Sequence, residues 1–308
     1  MHLNFQFGAE KAAVEYDNDR VTVKLNNPAL GPQVERWDFP GTSIHVRSNF
    51  VTLQSDSLTI GAATVDVNAG DLETLTQELY ESLLQNTQDL ALYRMWHFVP
   101  AINHTPADQL ENYQAFCKGR SLAFEALYHE QFHRALPAAS AVGTTGNQLT
   151  IVYIAGTTPC IHLENPLQTP AYKYPLTYGP RPPSFARATV MQRSDGTELF
   201  ISGTSSIRGS DSVGATTDEQ TSATIENLQI IEREFARQYS SETLHLPRKV
   251  RVYLRDAEDQ EIVHNQLTAE YLRPSDSVLY LQADICRREL NVEIEVSFNN
   301  DRTPESTL

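Results

Sequence analysis

The feature that most constrains this chain is that it repeats itself. In the first half, DLETLTQELYESLLQ (71–85) sets Leu72, Leu75, Leu79 and Leu83 at helical spacing. A strand-like run, LALYRMWHFVPAIN (90–103), comes next, then a second helical run, QLENYQAFCKGRSLAFEALY (109–128). PAASAVGTTGNQLTIVYIAG (137–156) closes the half as two strand-like pieces around a Gly-Asn hinge. The second half has the same order. DEQTSATIENLQIIEREFARQ (218–238) puts Ile225, Leu228, Ile231 and Phe235 on one helical face. RKVRVYLR (248–255) reads as a strand, AEDQEIVHNQLTAEYL (257–272) as a helix, and SVLYLQADICRRELNVEIEVSF (277–298) as the closing strands. Each half is thus helix, strand, helix and two strands, the signature of a duplicated unit.

The closing segments overlay without gaps, LTIVYIA (149–155) on LNVEIEV (290–296). Glu293 then stands where the first copy has Val152, and Glu295 where it has Ile154. Side chains alternate across a strand, so both glutamates share one face. A solvated edge strand reads this way, and so does a strand that carries an acid into a pocket. The contrast with the aliphatic copy favours the pocket.

Composition narrows the function. The net charge is -15 over 308 residues, which argues against binding nucleic acid or an anionic membrane through the overall field. Cys117, Cys160 and Cys286 are an odd number with no zinc or redox spacing. There is no basic-then-apolar leader in the first twenty residues and no long apolar span, so the expectation is a cytoplasmic protein. The i, i+4 pair His129 and His133 lacks a third ligand and reads as a solvated helix face. SGTSSIRGS (202–210) lacks the spacing of a phosphate loop. Cys117 reads as core.

Between the copies lies ENPLQTPAYKYPLTYGPRPPSFARATV (164–190). Its prolines exclude helix and central strand. Tyr172, Tyr174, Tyr178 and Phe185 make it more aromatic than an ordinary linker, and Lys173, Arg181 and Arg187 make it cationic. A rigid loop over a pocket fits it better than a plain connection. The division expected is 1–156, an N-terminal domain with a β extension; 157–190, a linker lining the site; and 191–308, a catalytic domain.

This linker, together with LFISGTSSIRG (199–209) and DICRRELNVEIE (284–295), resembles the chorismatase family. MWHFVPAIN, ENYQAFCKGR (both within 95–120) and LPAASAVGT (136–144) are similar to its N-terminal motifs. The likeness runs from about residue 90 onward; the first 45 residues are not diagnostic. Each half also resembles the RidA/YjgF-type domain. That likeness implies an α+β chain of two tandem RidA/YjgF-like (chorismate-mutase-like) domains, each a mixed sheet with two helices on one face. It leaves open a monomer with an internal repeat or a homotrimer.

The family resemblance implies removal of pyruvate from chorismate, without cofactor or metal. Chorismate is a dicarboxylate carrying an enol ether, so it calls for a general acid with a raised pKa and for cations matched to carboxylates. Glu293 matches the first glutamate of the family's VEIE motif and is the expected acid; Glu295 would raise its pKa by like-charge repulsion. Arg181 and Arg187 match the YGPR and FAR motifs and are expected on the substrate carboxylates. Tyr178 and Tyr172 are candidates for lining the ring's slot, and Arg273 is a weaker candidate for an anion. Lys173 is expected in solvent. Gly203 and Cys286 match positions where hydroxybenzoate-forming members carry Gly and Cys and hydrolytic members carry Ala. That points to 3-hydroxybenzoate, with some 4-hydroxybenzoate or a dihydrodiol acid as alternatives. A different class also fits the fold: a RidA-type ligand-binding or imine-hydrolysing module.

Overall fold

The helical stripes read from the sequence each bury one face against a six-stranded sheet. The computed structural model describes all residues except 40, 42, 68–71, 194, 195 and 299–308. Asp71, the first residue of the expected 71–85 helix, and the end of the 191–308 unit therefore lie outside the described residues.

The chain begins with a four-stranded sheet of β1 (His2–Gln6), β2 (Ala13–Tyr16), β3 (Arg20–Lys24) and β4 (Val34–Asp38), ordered β2-β3-β1-β4. The first half then contains β5 (Ser43–Arg47), β6 (Phe50–Gln54), β7 (Leu58–Asp66), α1 (Leu72–Asn86), β8 (Ala91–Pro100), α2 (Asn112–Tyr128), β9 (Ala138–Thr144) and β10 (Gln148–Gly156). The second contains β11 (Cys160–Leu163), β12 (Ala188–Arg193), β13 (Gly196–Thr204), the short hairpin β14 (Ile207–Arg208) and β15 (Asp211–Ser212), α3 (Thr217–Gln238), β16 (Arg248–Leu254), α4 (Gln260–Glu270), β17 (Ser277–Gln282) and β18 (Val292–Phe298).

The duplication holds strand for strand. The sheets run β5-β6-β7-β10-β8-β9 and β11-β12-β13-β18-β16-β17. In each, the last pair is parallel, β8 with β9 and β16 with β17, and the other pairs are antiparallel. The expected α+β class, with two helices on one face of each mixed sheet, is what the chain adopts. The segment 157–190 is more than a connection: it supplies β11 and the start of β12, the edge of the second sheet.

Leu72, Leu79 and Leu83 of α1 and Phe116 and Phe124 of α2 pack on Leu149, Ile151 and Tyr153 of β10. Ile225, Leu228, Ile231 and Phe235 of α3 pack with Val292, Ile294 and Val296 of β18. A capping box of Thr216 and Glu219 starts α3 by satisfying its first amide groups. The helix-free faces of the two sheets meet each other. Trp96, Val152 and Ile154 share one buried cluster with Phe200, Tyr253 and Leu281. The N-terminal sheet packs Leu3, Phe5, Val23 and Trp37 into the same cluster. Phe5 and Trp37 each meet Trp96 edge-on, with ring centres 5.4 Å apart. Every residue of β18 is therefore buried, on both faces, and the Val-Glu-Ile-Glu alternation separates a helix-packed face from an inter-sheet face rather than core from solvent.

Candidate active site

The inter-sheet face of β18 opens at one end into a cleft of about 280 Å3. Its walls are α2 and β9 from the first half and β13, β18 and residues 286–290 from the second, with residues 174–187 along one side. Glu293 stands at its base, 4 % exposed. Its Oε1 has no hydrogen-bond partner. Burial, reinforced by the negative charge of Glu295, pushes its pKa up to about 8. The carboxyl is thus largely protonated at neutral pH and has one oxygen free.

Glu295, two residues on, does not line the cleft. Its Oε2 accepts from Arg94 Nη2 at 2.5 Å, Ser140 Oγ at 2.5 Å and Tyr253 Oη at 3.1 Å. Its Oε1 accepts from Trp96 Nε1 at 2.6 Å and lies 3.4 Å from Arg251 Nη1. Burial opposes its charge, but Arg94 and Arg251 outweigh burial and hold Glu295 below the ordinary carboxylate value. Two glutamates on one strand face thus differ in protonation because one has two arginines and three further donors and the other has an open cleft.

Gly203 lies against Glu293 because β13 shifts register between Ile201 and Thr204. A Cβ at position 203 would land on Glu293 Oε1 and sit 2.7 Å from its Cδ and 3.0 Å from Ser140 Oγ. The glycine is needed for space, and its backbone N–H donates to Ser140 Oγ at 3.0 Å.

Two buried arginines face the cleft. Arg187 donates to Tyr174 Oη at 2.7 Å, stacks over Phe185 at 5.0 Å, and leaves Nε without a partner. Arg120, on α2, stacks over Tyr80 at 5.3 Å, reaches Met95 Sδ at 3.8 Å, and likewise leaves Nε unpartnered. An arginine is costly to bury without anionic or hydrogen-bonding partners; Arg187 has a second acceptor in the Thr169 carbonyl at 3.3 Å. Tyr113 and Cys117 lie beside Arg120 on the α2 wall, and Cys286 lines the cleft from the 286–290 segment; burial pushes both thiols up to about 12, so they are neutral. At the rim, Arg287 stacks 3.9 Å from the ring centre of Tyr178, whose hydroxyl donates to Asp211 at 2.7 Å.

Of the residues singled out in sequence, Glu293, Cys286, Gly203, Arg187 and Tyr178 line this cleft. Three do not. Arg181 pairs with Glu125 on α2. Tyr172 stacks on His133, 5.6 Å between ring centres, and packs against the helix-side core of the first half. Arg273 donates to the Leu244 carbonyl, while its backbone N–H is held by Asp276 at 2.8 Å; it ties down an irregular turn. Sequence reading passed over Tyr113, Arg120, Ser140 and Arg287, and read Cys117 as core. Cys117 is 3 % exposed and packed as core, yet it also lines the cleft. Tyr113, Cys117 and Arg120 recur at three- and four-residue spacing on α2, a shared face visible in the sequence had the helix been considered as a wall.

Residues 35–155 match the family model described as "Chorismatase FkbO/Hyg5-like, N-terminal". A 3-hydroxybenzoate synthase from Streptomyces hygroscopicus is 30 % identical over 95 % of this chain and 89 % of its own length. A chorismatase from the same species is 36 % identical over 74 % of this chain and 68 % of its own. A crystal structure of a chorismatase superposes with a TM-score of 0.85 at 26 % identity, covering 96 % of this chain and 92 % of that one. The match therefore extends into the N-terminal residues that carried no signal of their own, and the chain belongs to the chorismatase family.

Proposed function

We propose that this protein cleaves chorismate to pyruvate and 3-hydroxybenzoate, with Glu293 as the general acid. The observation that carries the reading is a carboxyl with a raised pKa and an unpartnered Oε1 at the base of a cleft that also holds two buried arginines, each with an unpartnered Nε. Chorismate has a matching set of groups: two carboxylates and an enol ether whose terminal carbon accepts a proton.

Arg187, whose charge is felt at Glu293, takes the carboxylate of the enolpyruvyl arm. Arg120, on the far wall, takes the ring carboxylate. Glu293 then delivers its proton to the CH2 carbon. The positive charge that develops on the ether carbon is shared with the ether oxygen, and the ionised Glu293 left behind stabilises it across the cleft. The C4 hydroxyl oxygen attacks ring carbon C3 as the bond from C3 to the ether oxygen breaks, and the electrons of that bond complete the pyruvate carbonyl. The hydroxyl proton is released as the ring epoxide forms and regained as the epoxide opens at C4. Loss of the C3 proton leaves the hydroxyl on C3 of an aromatic ring.

3-Hydroxybenzoate and pyruvate together have the composition of chorismate. That route takes up no water overall, and the proton gained by CH2 is matched by one the ring loses as it becomes aromatic. The dihydrodiol route consumes a water molecule. A wall of neutral thiols with a phenol beside it disfavours holding that water, which supports the aromatic product. Among the described residues no helix is long and apolar enough to cross a membrane.

The test is pyruvate release from chorismate, read in a coupled assay, for wild type, Glu293→Gln and Arg120→Met. Turnover in wild type, a loss of at least a hundredfold in kcat for Glu293→Gln and a raised KM for Arg120→Met are expected. Turnover that survives in Glu293→Gln would refute the assignment of the acid.

A further inference from the structure

The repeat relates Arg94 to Arg251. Arg94 is the cross-strand partner of Ile154, and Arg251 that of Glu295, the residue overlaid on Ile154. Both arginines are buried, and both converge on Glu295. Two cations therefore meet one strand carboxylate, because the first copy has an isoleucine where the second has a glutamate.

The second carboxylate comes from outside the repeat. Glu35, on β4 of the N-terminal sheet, pairs with Arg251 Nη2 and accepts from Trp37 Nε1 at 2.8 Å. The result is a row, Glu35–Arg251–Glu295–Arg94, alternating in sign and summing to zero. It runs from the N-terminal sheet to the strand position next to Glu293 on the same face. Ser140 ties its inner end to the site, donating to Glu295 and accepting from both Arg94 and the Gly203 amide.

We infer that this row, including Glu35 of the N-terminal sheet, consists of positioning residues that keep the Glu293 carboxyl in its proton-donating form. The inference rests on the reading of Glu293 as the acid. Its physical basis is that charges interact strongly where water is excluded. A neutral row leaves the ionisation of Glu293 to burial. Removing a carboxylate gives the row a net positive charge and favours ionised Glu293; removing an arginine does the reverse.

The other groups that face Glu293 are Tyr253 from β16, Tyr113, Cys117 and Arg120 from α2, Arg187 and Ser205 at the cleft side, and Cys286, Arg287 and Glu289 from the 286–290 segment. None of them is substituted in the variants below. Tyr253, which accepts from Arg251 and donates to Glu295, loses one partner when either is replaced but stays a neutral phenol, so the sign of the row is the variable.

The experiment compares wild type, Glu35→Gln, Glu295→Gln and Arg251→Gln. Two readouts are taken: the alkaline limb of kcat/KM for chorismate, and the carboxylic-acid infrared band of Glu293, assigned by difference from Glu293→Gln in the resting protein. The limb and the band should move to lower pH in both carboxylate variants, by about one unit in Glu295→Gln and less in Glu35→Gln. In Arg251→Gln both should move to higher pH. A purely structural role predicts lost stability without opposite signs. Unmoved limbs, or the same direction for acid and arginine variants, overturn the inference. Should Glu295→Gln fail to fold, Glu35→Gln and Arg251→Gln still carry the opposite-sign test. If wild type does not turn over chorismate, the catalytic reading falls, while the infrared titration still decides whether the row controls Glu293.

Discussion

Glu293 and Glu295 share a strand face and a nearly identical backbone setting, yet opposite protonation follows from what each one touches. The raised value at Glu293 has a consequence for stability. Between the unfolded value of 4.5 and about 8, the native state holds a proton that the unfolded chain has released. Stability contributed by this group is therefore complete below pH 4.5 and is lost as pH rises through about 8. Glu293→Gln keeps the neutral shape without the titration. It should be more stable than wild type at pH 9 by an amount on the order of a few kcal/mol, and nearly equal at pH 4; chemical denaturation at the two values checks this. Gly203→Ala forces the Glu293 carboxyl aside, because a methyl group occupies the place of Oε1. It should lower kcat and raise the share of dihydrodiol acid in the product, read by chromatography. The pair of glutamates was legible as a departure from the first copy. Which of the two is expected to be the acid came from family likeness, since partners such as Arg94 lie 201 residues away in sequence.

At the scale of elements, α2 and the linker contrast. The helix 109–128 was legible from its periodicity, but a period does not reveal what a buried face is packed against. Arg120 looked like an ordinary helical arginine and Cys117 like plain core; only the docking of α2 over the cleft makes them a wall. In the linker, Arg181 and Arg187 are six positions apart in an irregular segment with no period to phase them, and only the second turns inward. Arg120→Met should raise KM for chorismate about ten- to a hundredfold, as expected for a lost charged hydrogen bond, while Arg181→Met should leave KM within about twofold, since its partly exposed ion pair with Glu125 lies outside the cleft. Steady-state kinetics on the two variants separates them.

At the scale of the whole molecule, duplication set the architecture and the N-terminal sheet completed it. The order of elements in both halves could be read directly, because helix and strand periods are local. The role of the first 45 residues could not, because Phe5, Trp37 and Glu35 acquire meaning only against Trp96 and Arg251 from the two other sheets. Trp37→Ala removes a fully enclosed ring from that junction and should cost about 3–5 kcal/mol, measured by urea denaturation.

The most direct measurement of the central claim is the reaction run in D2O, with pyruvate trapped at once by enzymatic reduction and both products analysed by mass. Protonation of the enol ether by Glu293 predicts 3-hydroxybenzoate together with reduced pyruvate bearing one deuterium in its methyl group, and neither product from Glu293→Gln. Unlabelled methyl groups, or undiminished products from the variant, would contradict it.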